Sequence, residues 1–154
     1  MNGLALQVQV ALGTGAGEAA LRRIADRVRV PLVIDHMGRP APDAAPRVLL
    51  DLLASGRAWV KLSAAYRISR RPAPEYDDLL PLVAALVAAN PEQLVWGSDW
   101  PHTELASEVP QTSTLVDLLP AWLPDPATRA RICALNPARL YGYDAPVAAS
   151  RSQP

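Results

Sequence analysis

The chain has 154 residues, of which 50% are apolar and 19% charged, and its 15 basic and 15 acidic side chains sum to zero. That balance gives no support for a nucleic-acid partner or an anionic membrane, and the apolar content is enough for one packed domain. The single cysteine, Cys133, excludes an internal disulfide and a cysteine-rich zinc site. No apolar run reaches the roughly 18 residues that a membrane helix needs. No basic region followed by an apolar core opens the chain, so the cytoplasm is the expected compartment.

Strands and helices are predicted to alternate. Leu4–Val10 reads as a first strand. Gly13-Thr14-Gly15-Ala16-Gly17 follows it but lacks the spacing of a dinucleotide loop and the lysine of a P-loop. It is read as a flexible connection rather than the phosphate site of a doubly wound domain. Glu18–Val28 has apolar residues near a 3.6 period and predicts a helix. Pro31–Asp35 is apolar on both faces, as parallel strands covered by helices are. Asp43 is placed to cap a helix from Ala44 to Ala54, which Gly56 ends.

Trp59–Ser63 predicts a third strand and residues 64–74 a loop with Tyr66, Arg67, Arg70 and Arg71. Tyr76, Leu79, Leu80, Val83, Leu86 and Val87 recur at helical spacing, with Pro81 near the first turn and Pro91 beyond the end. Leu94–Ser98 is the fourth strand, followed by a loop over residues 99–111 and helices over Thr112–Leu119 and Pro126–Ala134. Asn136 to Gly142 closes a domain over residues 1–144, and 145–154 reads as a flexible tail. Four β–α units imply an α/β fold with a parallel sheet. A closed eight-strand barrel takes about 250 residues, so the chain holds roughly half of one.

Two strands deliver an acid and a histidine at their carboxyl ends, in Asp35-His36 and in Asp99-Trp100-Pro101-His102. In parallel α/β folds that end carries the active site. Alternation along the strands places Leu32, Ile34 and His36 on one face and Val95, Gly97 and Asp99 on one face of the fourth. His36 and Asp99 are thus expected to point inward together, Asp99 as general base or metal ligand and His36 as ligand, proton shuttle or electrophile. Structural roles are the alternative, with Asp99 capping its turn. His102 could contact substrate, a metal or its own loop. Asp35, on the other parity, reads as structural. Lys61 needs a partner inside an apolar strand, and Asp99 is one candidate. Arg67 is the best candidate for binding an anionic substrate, with Arg39 on the same side, because arginine grips carboxylates through paired hydrogen bonds. Trp96 and Trp100 read as packing residues, with Trp100 able to wall a pocket. Cys133 reads as a small buried hydrophobe.

Val33 to Pro40, Val60-Lys61-Leu62-Ser63, Val95 to His102 and Asn136 to Tyr141 together resemble the amidohydrolase-related family of TIM-barrel hydrolases. That group includes 2-pyrone-4,6-dicarboxylate lactonase and related sugar and muconolactone lactonases. The resemblance runs from about residue 4 to 143 in the family's order. It implies the C-terminal half of a (β/α)8 barrel that opens a small carboxylated lactone. Asp99 would activate water, and His36 would bind a metal or polarise the carbonyl. Arg67 would hold a substrate carboxylate, and His102 belongs to the family's Asp-Trp-Pro-His signature. A divalent metal such as zinc is implied for some members, while others work without one. The family's N-terminal His-x-His has no counterpart, since His36 and His102 are the two histidines present. His36 and Asp99 are therefore an incomplete metal set, and the expectation is a fragment that self-associates or pairs with a missing N-terminal half. A decarboxylase on the same scaffold and an inactive assembly module are the alternatives.

Overall fold

The computed structural model describes residues 4–41, 46–103, 105 and 109–144. Four short strands form one sheet in the order β1 (Leu6–Val8), β2 (Leu32–Ile34), β3 (Trp59–Leu62) and β4 (Leu94–Trp96). Every pairing is parallel, with Leu6 opposite Leu32, Val33 opposite Trp59 and Val60 opposite Leu94. The predicted alternation and the parallel α/β class are what the chain adopts.

Helices α1 (Gly15–Arg27), α2 (Arg47–Ala54) and α3 (Leu80–Ala89) connect successive strands. They cover one face of the sheet, where Leu21, Leu49, Leu53 and Leu86 pack against Leu32, Ile34, Val60 and Leu94. On the opposite face Val33, Trp59 and Val95 meet Leu140 in a smaller cluster. Burial on both faces explains why β2 shows no polar alternation. No helix among the described residues is long and apolar enough to cross a membrane.

Several boundaries differ from the sequence expectation. Helix α1 begins at Gly15 rather than Glu18, because Thr14 caps it by accepting from the Gly17 amide at 3.2 Å. A side chain at Gly17 would collide with the Ala11 carbonyl oxygen, so the glycine-rich stretch is a tight capped turn rather than a flexible connection. The expected Asp43 cap and the 145–154 tail lie outside the described residues. Helix α2 begins at Arg47 with Pro46 before it.

The stretch after β4 breaks into α4 (Thr112–Asp117), α5 (Leu119–Trp122), α6 (Pro126–Ala130) and α7 (Asn136–Tyr141). Pro120 lies in the first turn of α5, where its missing N–H costs little. A wide π turn over Arg131–Leu135 joins α6 to α7 and gives the Pro137 ring room against the preceding turn. Asn136 Nδ2 donates to the carbonyls of Pro91 at 2.8 Å and Leu94 at 2.7 Å, tying α7 to the start of β4. Arg139 stacks on the Trp59 ring at 4.9 Å and donates to the Glu92 carbonyl. Cys133 is half-buried against the core, and burial pushes its thiol up, away from a reactive thiolate.

Candidate active site

The loops leaving β2, β3 and β4 gather at the carboxyl edge of the sheet. Six non-glycine residues in them adopt left-handed backbone: His36 (φ 54°), Met37 (52°), Arg39 (45°), Ala64 (52°), Asp99 (68°) and His102 (58°). Such conformations are uncommon outside glycine and concentrate at functional sites. They also correct the strand-parity argument. Leu32 and Ile34 face the helices, opposite to the expected inward side, and β2 ends at Ile34. His36 reaches the mouth because its own backbone turns, not because it continues the alternation. On β4 the expected parity holds, since Val95 faces away from the helices and Gly97 lies against Lys61, and Asp99 follows beyond the strand end with left-handed backbone of its own.

At the mouth His36 Nε2 lies 3.6 Å from Asp99 Oδ1. The other carboxylate oxygen, Oδ2, is enclosed by donors. Tyr66 donates its hydroxyl to it, and Arg67 approaches through Nε and Nη2, each at 3.1 Å. Oδ1 accepts no hydrogen bond among the described residues, and neither does His36 Nε2 find a hydrogen-bond partner. The other nitrogen of His36, Nδ1, is 2.9 Å from Ser63 Oγ, and both side chains are buried.

Burial alone would push the Asp99 carboxyl up. The Tyr66 hydrogen bond and the His36 and Arg67 charges together outweigh it and hold the group below the usual carboxylate range. Burial lowers His36 from its ordinary value, against the pull of the Asp99 and Asp35 charges. Burial, then donation to Asp99, push the Tyr66 hydroxyl up to about 12. At neutral pH the three are a carboxylate, a neutral imidazole and a phenol.

The structure thus brings His36, Asp99 and Arg67 together. His102 is buried behind them, with Nδ1 3.3 Å from the Tyr66 hydroxyl and the two rings edge to face. Arg39 sits on the same side with no hydrogen bond or ion pair from its side chain to the cluster among the described residues. Lys61 does not pair with Asp99. It binds Asp35 at 2.7 Å and Gln7 at 2.6 Å on the sheet face opposite the helices. Trp100 is 77% exposed at the mouth rather than packed, whereas Trp96 packs against the core. Tyr66 and Ser63 were not singled out for roles at the site. Tyr66 stands beside Arg67 on one short turn, Ala65–Arg67, and that adjacency was the available signal.

A catalytic zinc needs three protein ligands and an open position. His36 Nε2 and Asp99 Oδ1 are spaced as two donors to one ion would be, but no group of three or more His, Cys, Asp or Glu side chains able to hold a metal exists among the described residues. The residues present do not complete a zinc site.

A carboxylate and an imidazole at the carboxyl ends of parallel strands, held by helix-covered β–α units, are the arrangement of an α/β half-barrel with its site at that end. The chain belongs to the amidohydrolase family, whose sequence profile matches residues 4–143. It is 37% identical over 133 residues to a 4-sulfomuconolactone hydrolase of Hydrogenophaga intermedia, covering 80% of this chain and 44% of that protein. It is 33% identical over 124 residues to a D-galactarolactone isomerase of Agrobacterium fabrum, covering 75% of this chain and 41% of that one. The chain therefore spans less than half the length of these relatives. A crystal structure from Agrobacterium tumefaciens superposes with a TM-score of 0.76 at 31% identity, over 94% of this chain and 52% of that one. A zinc-bound amidohydrolase from Burkholderia multivorans superposes with a TM-score of 0.64 at 25% identity, over 91% and 53%.

Proposed function

We propose that this chain carries the water-activating side of a hydrolase that opens a small carboxylated lactone in the cytoplasm. The observation that carries the reading is the facing pair of Nε2 and Oδ1, 3.6 Å apart with no other partners among the described residues. One oxygen atom about 2.8 Å from each completes a triangle on that base, which is hydrogen-bond geometry to both at once. A water held there gives a proton to Asp99 Oδ1 while its oxygen attacks the lactone carbonyl carbon. The ring C–O bond then breaks, and the proton passes from Asp99 to the departing oxygen, leaving a hydroxy acid. Water and lactone are consumed, and Asp99 is regenerated.

The other residues serve that step. Tyr66 and Arg67 hold Oδ2, which leaves Oδ1 as the basic atom, and His36 supports the carbonyl or the water from the other side. Arg39, with Arg67 and His102 behind the mouth, is where a substrate carboxylate would be met. The names of lactone-processing relatives support the substrate class. Holding zinc would require ligands beyond the described residues.

The sheet behind the site has two unpaired edges, β1 and β4, among the described residues. Both run parallel in the same sense, so β4 of one copy can continue into β1 of another. Two copies of four strands make the eight at which such barrels close. A second copy is thus the partner we assign to this chain by itself, and it would wall the open side of the pocket.

A panel of carboxylated lactones, followed by ultraviolet absorbance with and without zinc or manganese, tests the reading. The expected result is opening of at least one member and a loss of about 10²- to 10⁴-fold in Asp99→Asn, the range for a removed general base. Opening that survives Asp99→Asn unchanged, or no opening of any member, would overturn it.

A further inference from the structure

We propose that Ser63 sets the position of the proton on His36, donating its hydroxyl to Nδ1 and so keeping the hydrogen on Nε2, where it faces Asp99. Two independent observations select this arrangement. The first is the hydroxyl itself. Ser63 Oγ lies 2.9 Å from Nδ1, both side chains are at most 3% exposed, and Oγ has no other hydrogen-bond partner among the described residues. If Nδ1 carried the proton, Ser63 would have to accept, and its own O–H would be a buried donor with nowhere to go. The second is the opposite side of the ring. Nε2 points at a carboxylate oxygen 3.6 Å away. An N–H aimed at that charge is attracted, and a lone pair aimed at it is repelled. The Nε2–H tautomer uses the Ser63 hydroxyl as a donor and turns an N–H toward the carboxylate, whereas the Nδ1–H tautomer strands the Ser63 O–H and turns a lone pair toward the charge.

Local geometry makes Ser63 a fixed donor. It directly follows β3, and the left-handed backbone of Ala64 (φ 52°) turns the chain away immediately after it. Ser63 is therefore a positioning residue that acts through His36. The inference rests on the pairing of His36 with Asp99 in the reading above, and it sharpens the role of His36. His36 is a hydrogen-bond donor to the carbonyl oxygen or the water, not a proton acceptor. Ligation of a metal through Nε2 would need the reverse tautomer and the reverse direction of the Ser63 hydrogen bond.

Nitrogen-15 NMR of the imidazole rings tests this directly, because the chain has only two histidines. The spectrum would be taken on the whole chain at about pH 8, above the ordinary histidine range. His102→Gln identifies the His36 signals. The expected spectrum shows a pyridine-like Nδ1 and a pyrrole-like Nε2. Ser63→Ala moves His36 toward a mixture of tautomers, and Ser63→Thr, which keeps the hydroxyl, restores it. A pyrrole-like Nδ1 in the wild-type chain overturns the proposal even if no variant folds, as does a Ser63→Ala spectrum identical to wild type. On a lactone that the wild type opens, Ser63→Ala lowers kcat by about 10- to 100-fold with KM little changed. Inactivity of the wild type would overturn the lactonase reading while leaving the tautomer result standing, so the two failures are distinguishable.

Discussion

Asp99 has two oxygens in different circumstances, and the chemistry proposed for it rests on that difference. Oδ2 is occupied by Tyr66 and Arg67, and Oδ1 is open toward His36. Removing the Tyr66 hydroxyl should affect the base without removing it. Tyr66→Phe is expected to lower kcat by about tenfold, at the low end of general acid–base contributions. It should also move the acidic limb of the rate profile upward, because one of the contacts that lowers the Asp99 pKa is gone. An acidic limb that stays in place would refute the assignment. The same groups contribute to the pH dependence of stability. Asp99 contributes fully above its unfolded value of about 3.9 and loses that contribution as pH falls through its lower folded value. His36 also titrates lower when folded, so its contribution is present above about 6.5 and erodes as the unfolded chain takes the proton first. Tyr66 has the opposite sign, and its contribution fades as pH rises from about 10 toward about 12. Urea midpoints between pH 7 and pH 5 should therefore fall, and His36→Asn should flatten part of that slope. Asp99, His36 and Arg67 were legible in the sequence because each follows an apolar run that ends at the same edge of a parallel sheet. Tyr66 and Ser63 were not, because left-handed turns at Ala64 and Asp99 decide which side chains meet, and no periodicity encodes such a turn.

At the scale of elements, strand and helix order could be read from apolar spacing and from the prolines and glycines between segments. The boundaries that moved did so for local reasons. Thr14 capped α1 three residues early, and the helix expected over Thr112–Leu119 ends at Asp117, with Leu119–Trp122 forming a separate turn. The π turn before α7 had no sequence cue except Pro137. Its anchor is Asn136, buried and bonded to two carbonyls at the entrance of β4. Asn136→Ala leaves both carbonyls unsatisfied and is expected to destabilise the fold by about 1–3 kcal/mol, measured by urea unfolding. Retention of full stability would mean that α7 is held by Leu140 and the Arg139–Trp59 stack instead.

For the molecule as a whole, the open sides of the sheet set the behaviour. Leu4 and Leu6, in and beside β1, are 71% and 39% exposed, an apolar edge of the kind that proteins otherwise cover. If a second copy covers it, each chain gains half of RT ln 100, about 1.4 kcal/mol, from a hundredfold rise in concentration. The melting temperature should then climb by about 3–5 °C over that range, and light scattering should report a dimer at the upper end. A melting temperature independent of concentration would show the edge to be unpaired. A sheet edge covered by a second copy would tie the robustness of the chain to its abundance. Under that pairing a scarce chain would be held less firmly and be more open to proteases, and a plentiful one would be sturdier.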